Sequence, residues 1–348
     1  MRKVESENSG RDGLSRRQFV RNGGLLVAAA SALGYRSLGL AAPVPEGTAP
    51  AKGAAIPRKM LGRTGAEVSI LGLGTAPMGH RNGNNPDLPP LIEVFTEAID
   101  RGINYLDTGR IYGRAEEALG KVLEGRRDKV FLVTKVWAEG YAEAEEKFRE
   151  SMSKLKVDHV DLLHLHSTGD KDIDKVLAKD GSWEFLRKVK KEGRTRFLGL
   201  SGHSRPARFV RMIEETGEVD AIMIAMNFAD RHTYGFEEKV LPVARKHGVG
   251  VMAMKVFGGI RGGFSNYGAK VPHPSQMEKG LHESAIRYAL SLEGVTGMVI
   301  GVHDAEQLRR NVEVVLAAKP LSSEELAALV EKGKDLASTW GARFGSPA

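Results

Sequence analysis

The chain has 348 residues, 41% hydrophobic and 27% charged, enough to bury a large core and unlike a disordered protein. It has no cysteine, which excludes disulfides, thiolate metal sites, iron–sulfur clusters and a catalytic thiol, so redox chemistry would have to come from a bound cofactor. Of the formal charge of +7, residues 1–41 carry +4 (seven Lys/Arg, three acids), leaving +3 for the rest; signs are mixed along that remainder, so nucleic-acid binding has little support.

Positions 15–21 read Ser15-Arg16-Arg17-Gln18-Phe19-Val20-Arg21. A Gly/Ala/Leu run follows from Asn22 to Gly34, then small residues around Gly39 and Ala41. Polar, apolar and small residues in that order make an export signal. The segment resembles a twin-arginine signal, with Val20 and Arg21 where Leu and Lys are usual. The apolar run is about 13 residues, short of the roughly 20 that a spanning helix needs, so no stable membrane anchor is expected. Residues 1–42 are therefore expected to be a signal peptide. As the resemblance implies, the twin-arginine export machinery would carry the protein already folded to the periplasm or beyond. Residues 43–56, rich in Pro, Gly and Ala, read as a solvated linker.

The folded unit is expected over 57–348. KMLGRTGAEVSIL offers two short strands about a Gly-containing turn, a hairpin that could plug one end of a larger sheet. Eight short apolar runs follow, at 69–75, 103–109, 130–136, 160–166, 195–202, 221–227, 250–256 and 297–302. Charged stretches with helical spacing separate them, among them AEEALGKVLEG, SWEFLRKVKKEG, FEEKVLPVARKHG and HESAIRYALSLEG. Eight strand–helix units predict an α/β fold of the (β/α)8 TIM-barrel type. No G-x-G-x-x-G follows the first strand, which argues against an open dinucleotide-binding sheet. The stretch from Phe257 to Met277 is too long for an ordinary connection and is expected to fold over a ligand.

Chemistry in a barrel is done at the carboxyl ends of the strands. Four polar residues stand at or just past such ends: Asp107 and Tyr112, Lys135, and His166. A buried lysine needs a partner, and Asp107 on the preceding strand can supply it. An ammonium beside the Tyr112 phenol would favour phenolate and make the hydroxyl a better proton donor, while His166 could orient a carbonyl oxygen. His164-Leu165-His166, with His203 and His303 at other strand ends, also allows a metal-dependent hydrolase. A nucleotide-binding sensor with slow turnover is a third reading. Lys255 could contact a phosphate or form a buried ion pair, and the glycine pairs at 258–259 and 262–263 permit close approach of backbone to phosphate.

At these residues the chain resembles the aldo/keto reductase family. The matching tracts are Leu71-Gly72-Leu73-Gly74-Thr75, Asp107-Thr108 through Tyr112-Gly113, Thr134-Lys135, Asp161-Leu162 with His166, Gly199-Leu200-Ser201, and Ala305-Glu306-Gln307-Leu308 leading to Asn311. The resemblance implies a catalytic tetrad of Asp107, Tyr112, Lys135 and His166. It also implies a small-molecule carbonyl substrate and NADPH across the barrel mouth, with NADH left open. Cofactor contacts would come from Gly74, Thr75, Asp107, Ser201, Gly202, Lys255, Phe257, Gly258, Gly301, His303, Gln307 and Asn311. Departures lie on the cofactor side. Gly202-His203 follows Ser201 where the family has Asn, Met223 replaces a Gln, and Gly301 and Gln307, with Arg309 nearby, stand where basic residues often grip a 2′-phosphate.

Overall fold

Each of the eight expected runs forms a strand in the computed structural model, which describes residues 55–259 and 275–348. The expected signal (1–42), most of the expected linker (43–54) and the glycine-rich stretch 260–274 lie outside the described residues. A hairpin comes first, β1 (Arg58–Met60) antiparallel to β2 (Glu67–Ser69). The parallel strands are β3 (Leu71–Gly74), β4 (Tyr105–Asp107), β5 (Phe131–Val136), β6 (Val160–Leu165), β7 (Thr195–Gly202), β8 (Ala221–Ala225), β9 (Gly250–Met254) and β10 (Gly297–Gly301). They pair in sequence order, and β10 returns to β3 to close the barrel. All six positions of β5 and of β6 are buried, because a parallel barrel covers both faces of its strands; this is why they read as continuous apolar runs.

The larger helices are α1 (Leu88–Asp100), α2 (Ala115–Val122), α3 (Tyr141–Leu155), α4 (Ser182–Lys191), α5 (Pro206–Thr216), α6 (Leu241–Lys246), α7 (His282–Ser291), α8 (Ala305–Ala317) and α9 (Ser323–Trp340). One expected helix is divided. FEEKVLPVARKHG forms a short turn at Phe236–Lys239 and then α6, because Pro242 has no N–H to continue the first helix and fits the first turn of the next.

Alternation along each strand sorts the barrel interior into an apolar floor and a polar mouth. At the floor, Leu61, Ala66 and Val68 of the hairpin segment pack with Tyr105, Phe131, Leu162 and Met252. Phe131 stacks between Tyr105 and Phe197, with ring centroids 5.5 and 6.1 Å away. Gly62 lets the hairpin seat this closely: a Cβ there would lie 2.2 Å from the Gly250 nitrogen, and its φ is +51°. Two residues further along the same faces stand Asp107 after Tyr105, and Ser201 after Gly199. Lys135 follows Val133, and His164 follows Leu162.

Candidate active site

Lys135 is the centre of the mouth. Its ammonium donates to Asp107 Oδ1 at 2.6 Å and to the Thr108 carbonyl at 2.6 Å, and both side chains are almost wholly buried. Burial pushes the Asp107 carboxyl up and the Lys135 ammonium down, and the contact between them opposes both shifts. The expectation from adjacent strands, that Asp107 supplies the partner of a buried lysine, holds.

Tyr112 lies on the loop after β4, with its ring centroid 4.8 Å from the Lys135 ammonium. The His166 ring meets it nearly at right angles, with centroids 5.9 Å apart. Asp107, Tyr112, Lys135 and His166 thus gather at one end of the barrel. Burial, with Lys135 beside it, holds the His166 imidazole well below its usual range, so it is neutral at pH 7 and one ring nitrogen carries a proton it can donate. Two aromatic neighbours complete the wall: His80, 5.7 Å from Tyr112, and Trp137, 5.6 Å from His166.

His164 is paired in register with Lys135 and Gly199, and it is completely buried. Neither ring nitrogen has a well-formed hydrogen bond, and a Cβ on Gly199 would press into the ring at 2.8 Å. Burial lowers this imidazole to about 3; Lys135 adds to the shift and the Leu200 backbone weakly opposes it. The unfolded chain therefore takes up a proton at His164 that the fold refuses. Stability from this group is full above pH 6.5 and drains away as pH falls toward 3. Moving from pH 7 to pH 5 is expected to cost about 2 kcal/mol through His164. His164→Leu should flatten the pH dependence by about that amount, read by urea unfolding at both pH values; an unchanged slope would contradict it. A second consequence bears on metal binding. His164 lies against a cation, and the His203 ring lies tilted against Phe344 with centroids 5.0 Å apart. Among the described residues no group of three His, Asp or Glu is arranged to hold a metal ion.

The expected cofactor residues divide. Ser201, in the last pleat of β7 before Gly202, is buried, and its Oγ has no hydrogen-bond partner among the described residues. Its strand neighbour on β8 is Met223, also buried, so the position where the family has Gln contributes packing surface here. Gly74 and Gly301 are paired in register at the rim, and a Cβ on Gly301 would strike the Pro77 ring at 2.5 Å. Thr75 Oγ1 bonds Thr108 Oγ1 at 3.0 Å, and a Cβ on Gly202 would touch the Phe209 ring at 2.9 Å. Lys255, at the end of β9, holds a left-handed backbone (φ +58°), a strained state of the kind that clusters at functional sites.

Several of these residues have evident structural partners. Phe257 stacks on His282 at 4.1 Å, and Gly258 is required by the Ser275 carbonyl and the Trp340 ring, 2.3 and 2.7 Å from where a Cβ would sit. Gln307 folds back to accept the His303 N–H at 3.1 Å, and Asp304 caps the same helix by accepting the Gln307 N–H at 2.8 Å. Asn311 is buried on α8. Arg309 is held by Glu97 of α1 through two bonds of 2.7 and 2.8 Å.

Sequence reading passed over the carboxyl-terminal segment. After α9 the chain turns back to the strand ends. Arg343 pairs with Asp230 through bonds of 2.6 and 2.8 Å, both groups fully buried, and reaches the Gly258 carbonyl at 3.3 Å. Phe344 lies on His203, and its N–H donates to the Tyr234 hydroxyl at 2.7 Å. This segment walls the mouth beyond β7, β8 and β9. The readable signal was the aromatic and arginine content of Trp340, Arg343 and Phe344 in a short polar tail. Trp137, two residues past Lys135, was legible in the same way.

Comparison with known proteins agrees with this fold. The chain is 27% identical to L-galactose dehydrogenase of Arabidopsis thaliana over 316 residues, covering 81% of this chain and 96% of that protein. It is 27% identical to an uncharacterized oxidoreductase of Bacillus subtilis, covering 78% of this chain and 95% of that one. Among solved structures, the holo form of an aldo-keto reductase from Bacillus halodurans matches with a TM-score of 0.65 at 25% identity, covering 83% of this chain and all of that one. A Klebsiella pneumoniae aldo/keto reductase solved with NADP and acetate shares the fold, with a TM-score of 0.61 at 24% identity, over 78% of this chain and 94% of that one. The model of the aldo/keto reductase family matches residues 70–283, the tract holding all four residues gathered around Lys135, and the chain belongs to that family.

Proposed function

We propose that the protein is an NADPH-dependent reductase of aldehydes or ketones, with Tyr112 as the general acid. The observation that carries this reading is the buried Asp107–Lys135 pair, its ammonium 4.8 Å from the Tyr112 ring and the neutral His166 ring standing across it. The cofactor fits the mouth on one chemical test: the orphaned Ser201 hydroxyl suits an amide such as the nicotinamide carboxamide. Gly74, Ser201 and Lys255 would hold NADPH. When bound, it supplies a hydride to the carbonyl carbon and is itself oxidised.

The chain's own residues supply the rest. His166 donates a hydrogen bond to the carbonyl oxygen and orients it. As negative charge develops there, the Tyr112 hydroxyl gives up its proton to that oxygen, completing the alcohol. The phenolate left behind is stabilised by the Lys135 ammonium, and Asp107 keeps that ammonium charged and in place. Alcohol oxidation is the same path reversed.

Fluorescence titration with NADPH and with NADH, followed by a panel of aldehydes and ketones, tests the reading. Tighter binding of NADPH and turnover of at least one carbonyl compound are expected. A protein that binds neither nucleotide would end it. We also propose export in folded form, supported by Ser15-Arg16-Arg17-Gln18-Phe19 and the apolar run after it. Arg16→Lys with Arg17→Lys should leave the protein in the cytoplasmic fraction; continued export would contradict the twin-arginine route.

A further inference from the structure

Beside Tyr112 and His166 the surface opens into a cleft of about 330 Å³, walled by Trp137 and edged by Arg110, Lys147, Lys171, Glu139 and Glu143. Most of its charged groups have partners. Lys147 is held by Glu143 and donates to the Trp137 carbonyl at 3.1 Å. Glu139 accepts the Asp172 N–H at 2.9 Å. Arg110 pairs through one terminal nitrogen with Glu150 at 2.8 Å, but its Nε is buried and has no acceptor.

Lys171 is the anomaly. The residue is only 6% exposed, and among the described residues its ammonium makes no ion pair; it rests 4.9 Å from the centroid of the Trp137 ring. Burial pushes this ammonium down, opposed by Glu139, Glu143 and Asp170 at longer range. The stem is buried along Trp137 while the ammonium faces the cleft, so it is poorly hydrated, has no ion pair among the described residues, and an arriving anion would form a charge-assisted hydrogen bond with it.

The cleft also adjoins the chemistry. The Trp137 ring that carries Lys171 on one side lies 5.6 Å from the His166 ring, and Arg110 is two residues before Tyr112. A molecule with its carbonyl at Tyr112 and His166 would run along Trp137 toward the Lys171 ammonium.

We infer that this cleft is a substrate subsite for a carboxylate: the protein acts on an aldehyde or ketone bearing one carboxylate remote from the carbonyl, held by Lys171 Nζ. Lys147 is paired with Glu143 and Arg110 with Glu150, which leaves Lys171 as the one cation of the cleft without an ion pair among the described residues and so matches a monoanion. A dianionic phosphate would meet repulsion from Glu139 and Glu143. The inference rests on the carbonyl-reductase reading and names the substrate class for it.

The test compares 4-formylbenzoate with its neutral counterpart 4-formylbenzamide and with 4-formylphenyl phosphate, using NADPH and the full chain. The carboxylate should exceed the amide in kcat/KM by about tenfold or more, and exceed the phosphate ester. Lys171→Met should bring the carboxylate-to-amide ratio near one, and Lys171→Arg should keep most of it. Quenching of tryptophan fluorescence by 4-formylbenzoate reads binding without turnover, since Trp137 walls the cleft; it should weaken in Lys171→Met. Equal kcat/KM for carboxylate and amide, a ratio untouched by Lys171→Met, or a preference for the phosphate ester would overturn the subsite. If no aldehyde is reduced but quenching still depends on Lys171, the subsite stands and the reductase reading falls. If there is neither turnover nor Lys171-dependent quenching, both fall.

Discussion

Tyr112→Phe is expected to lower kcat by about 10²–10⁴-fold while leaving NADPH affinity within about twofold of the unaltered protein. Only the hydroxyl is removed. The ring still packs against His166 and His80, so the mouth keeps its shape. Steady-state kinetics with any reduced carbonyl compound, paired with a nucleotide titration, checks it. Unchanged turnover would remove Tyr112 as the acid. Loss of nucleotide binding along with turnover would mean that the ring, not the hydroxyl, is what matters. The same pair of measurements separates an enzyme from a nucleotide-binding sensor: a sensor already turns over so slowly that the substitution has little left to remove.

The second large effect concerns the buried pair. Asp107→Asn removes the counter-charge and leaves the Lys135 ammonium enclosed with neutral acceptors only, the Thr108 carbonyl among them, and is expected to destabilise the fold by about 3–5 kcal/mol. Lys135→Met is milder in stability, because the Asp107 carboxyl, already pushed up by burial, can take a proton and become neutral. Activity is lost in both. The double variant should recover much of the stability lost in Asp107→Asn yet remain inactive, since neither charge is then stranded and no ammonium supports the phenolate. Urea unfolding and kcat/KM measured on all three variants decide the matter. A double variant destabilised by the sum of the two single losses would show that the two groups act independently.

Much of the fold was legible because parallel strands buried on both faces leave an unbroken signature: VFLVTKV and VDLLHLH could hardly be read otherwise. Boundaries were less so. The runs at 221–227 and 250–256 are two residues longer than β8 and β9, because the polypeptide leaves the barrel before its apolar character ends. Helix α9 went unread although Ser322 and Glu325 form a capping box that the spacing Ser-x-x-Glu announces. Its apolar stripe is sparse, since it packs on other helices at the edge of the fold.

In the site, residue identity and strand position were enough to single out Asp107, Tyr112, Lys135 and His166. Each lies at or just past a strand end, and barrel closure brings such ends together whatever the loops do. How the two histidines of this segment are enclosed depended on tertiary structure. His164 and His166 share a face of β6, but one is sealed against Gly199 and Lys135 while the other stands open to Tyr112 and Trp137.

By itself the amino-acid sequence determined the barrel, the four groups at its mouth and the exclusion of thiol chemistry, because these depend on period, order and residue type. Only the tertiary structure decided that Gln307 and Arg309 are engaged within the protein, that Arg343 and Phe344 wall the mouth, and that Lys171 lies along Trp137 with no ion pair among the described residues. Those facts turn on contacts between residues distant along the chain, and no local pattern carries them.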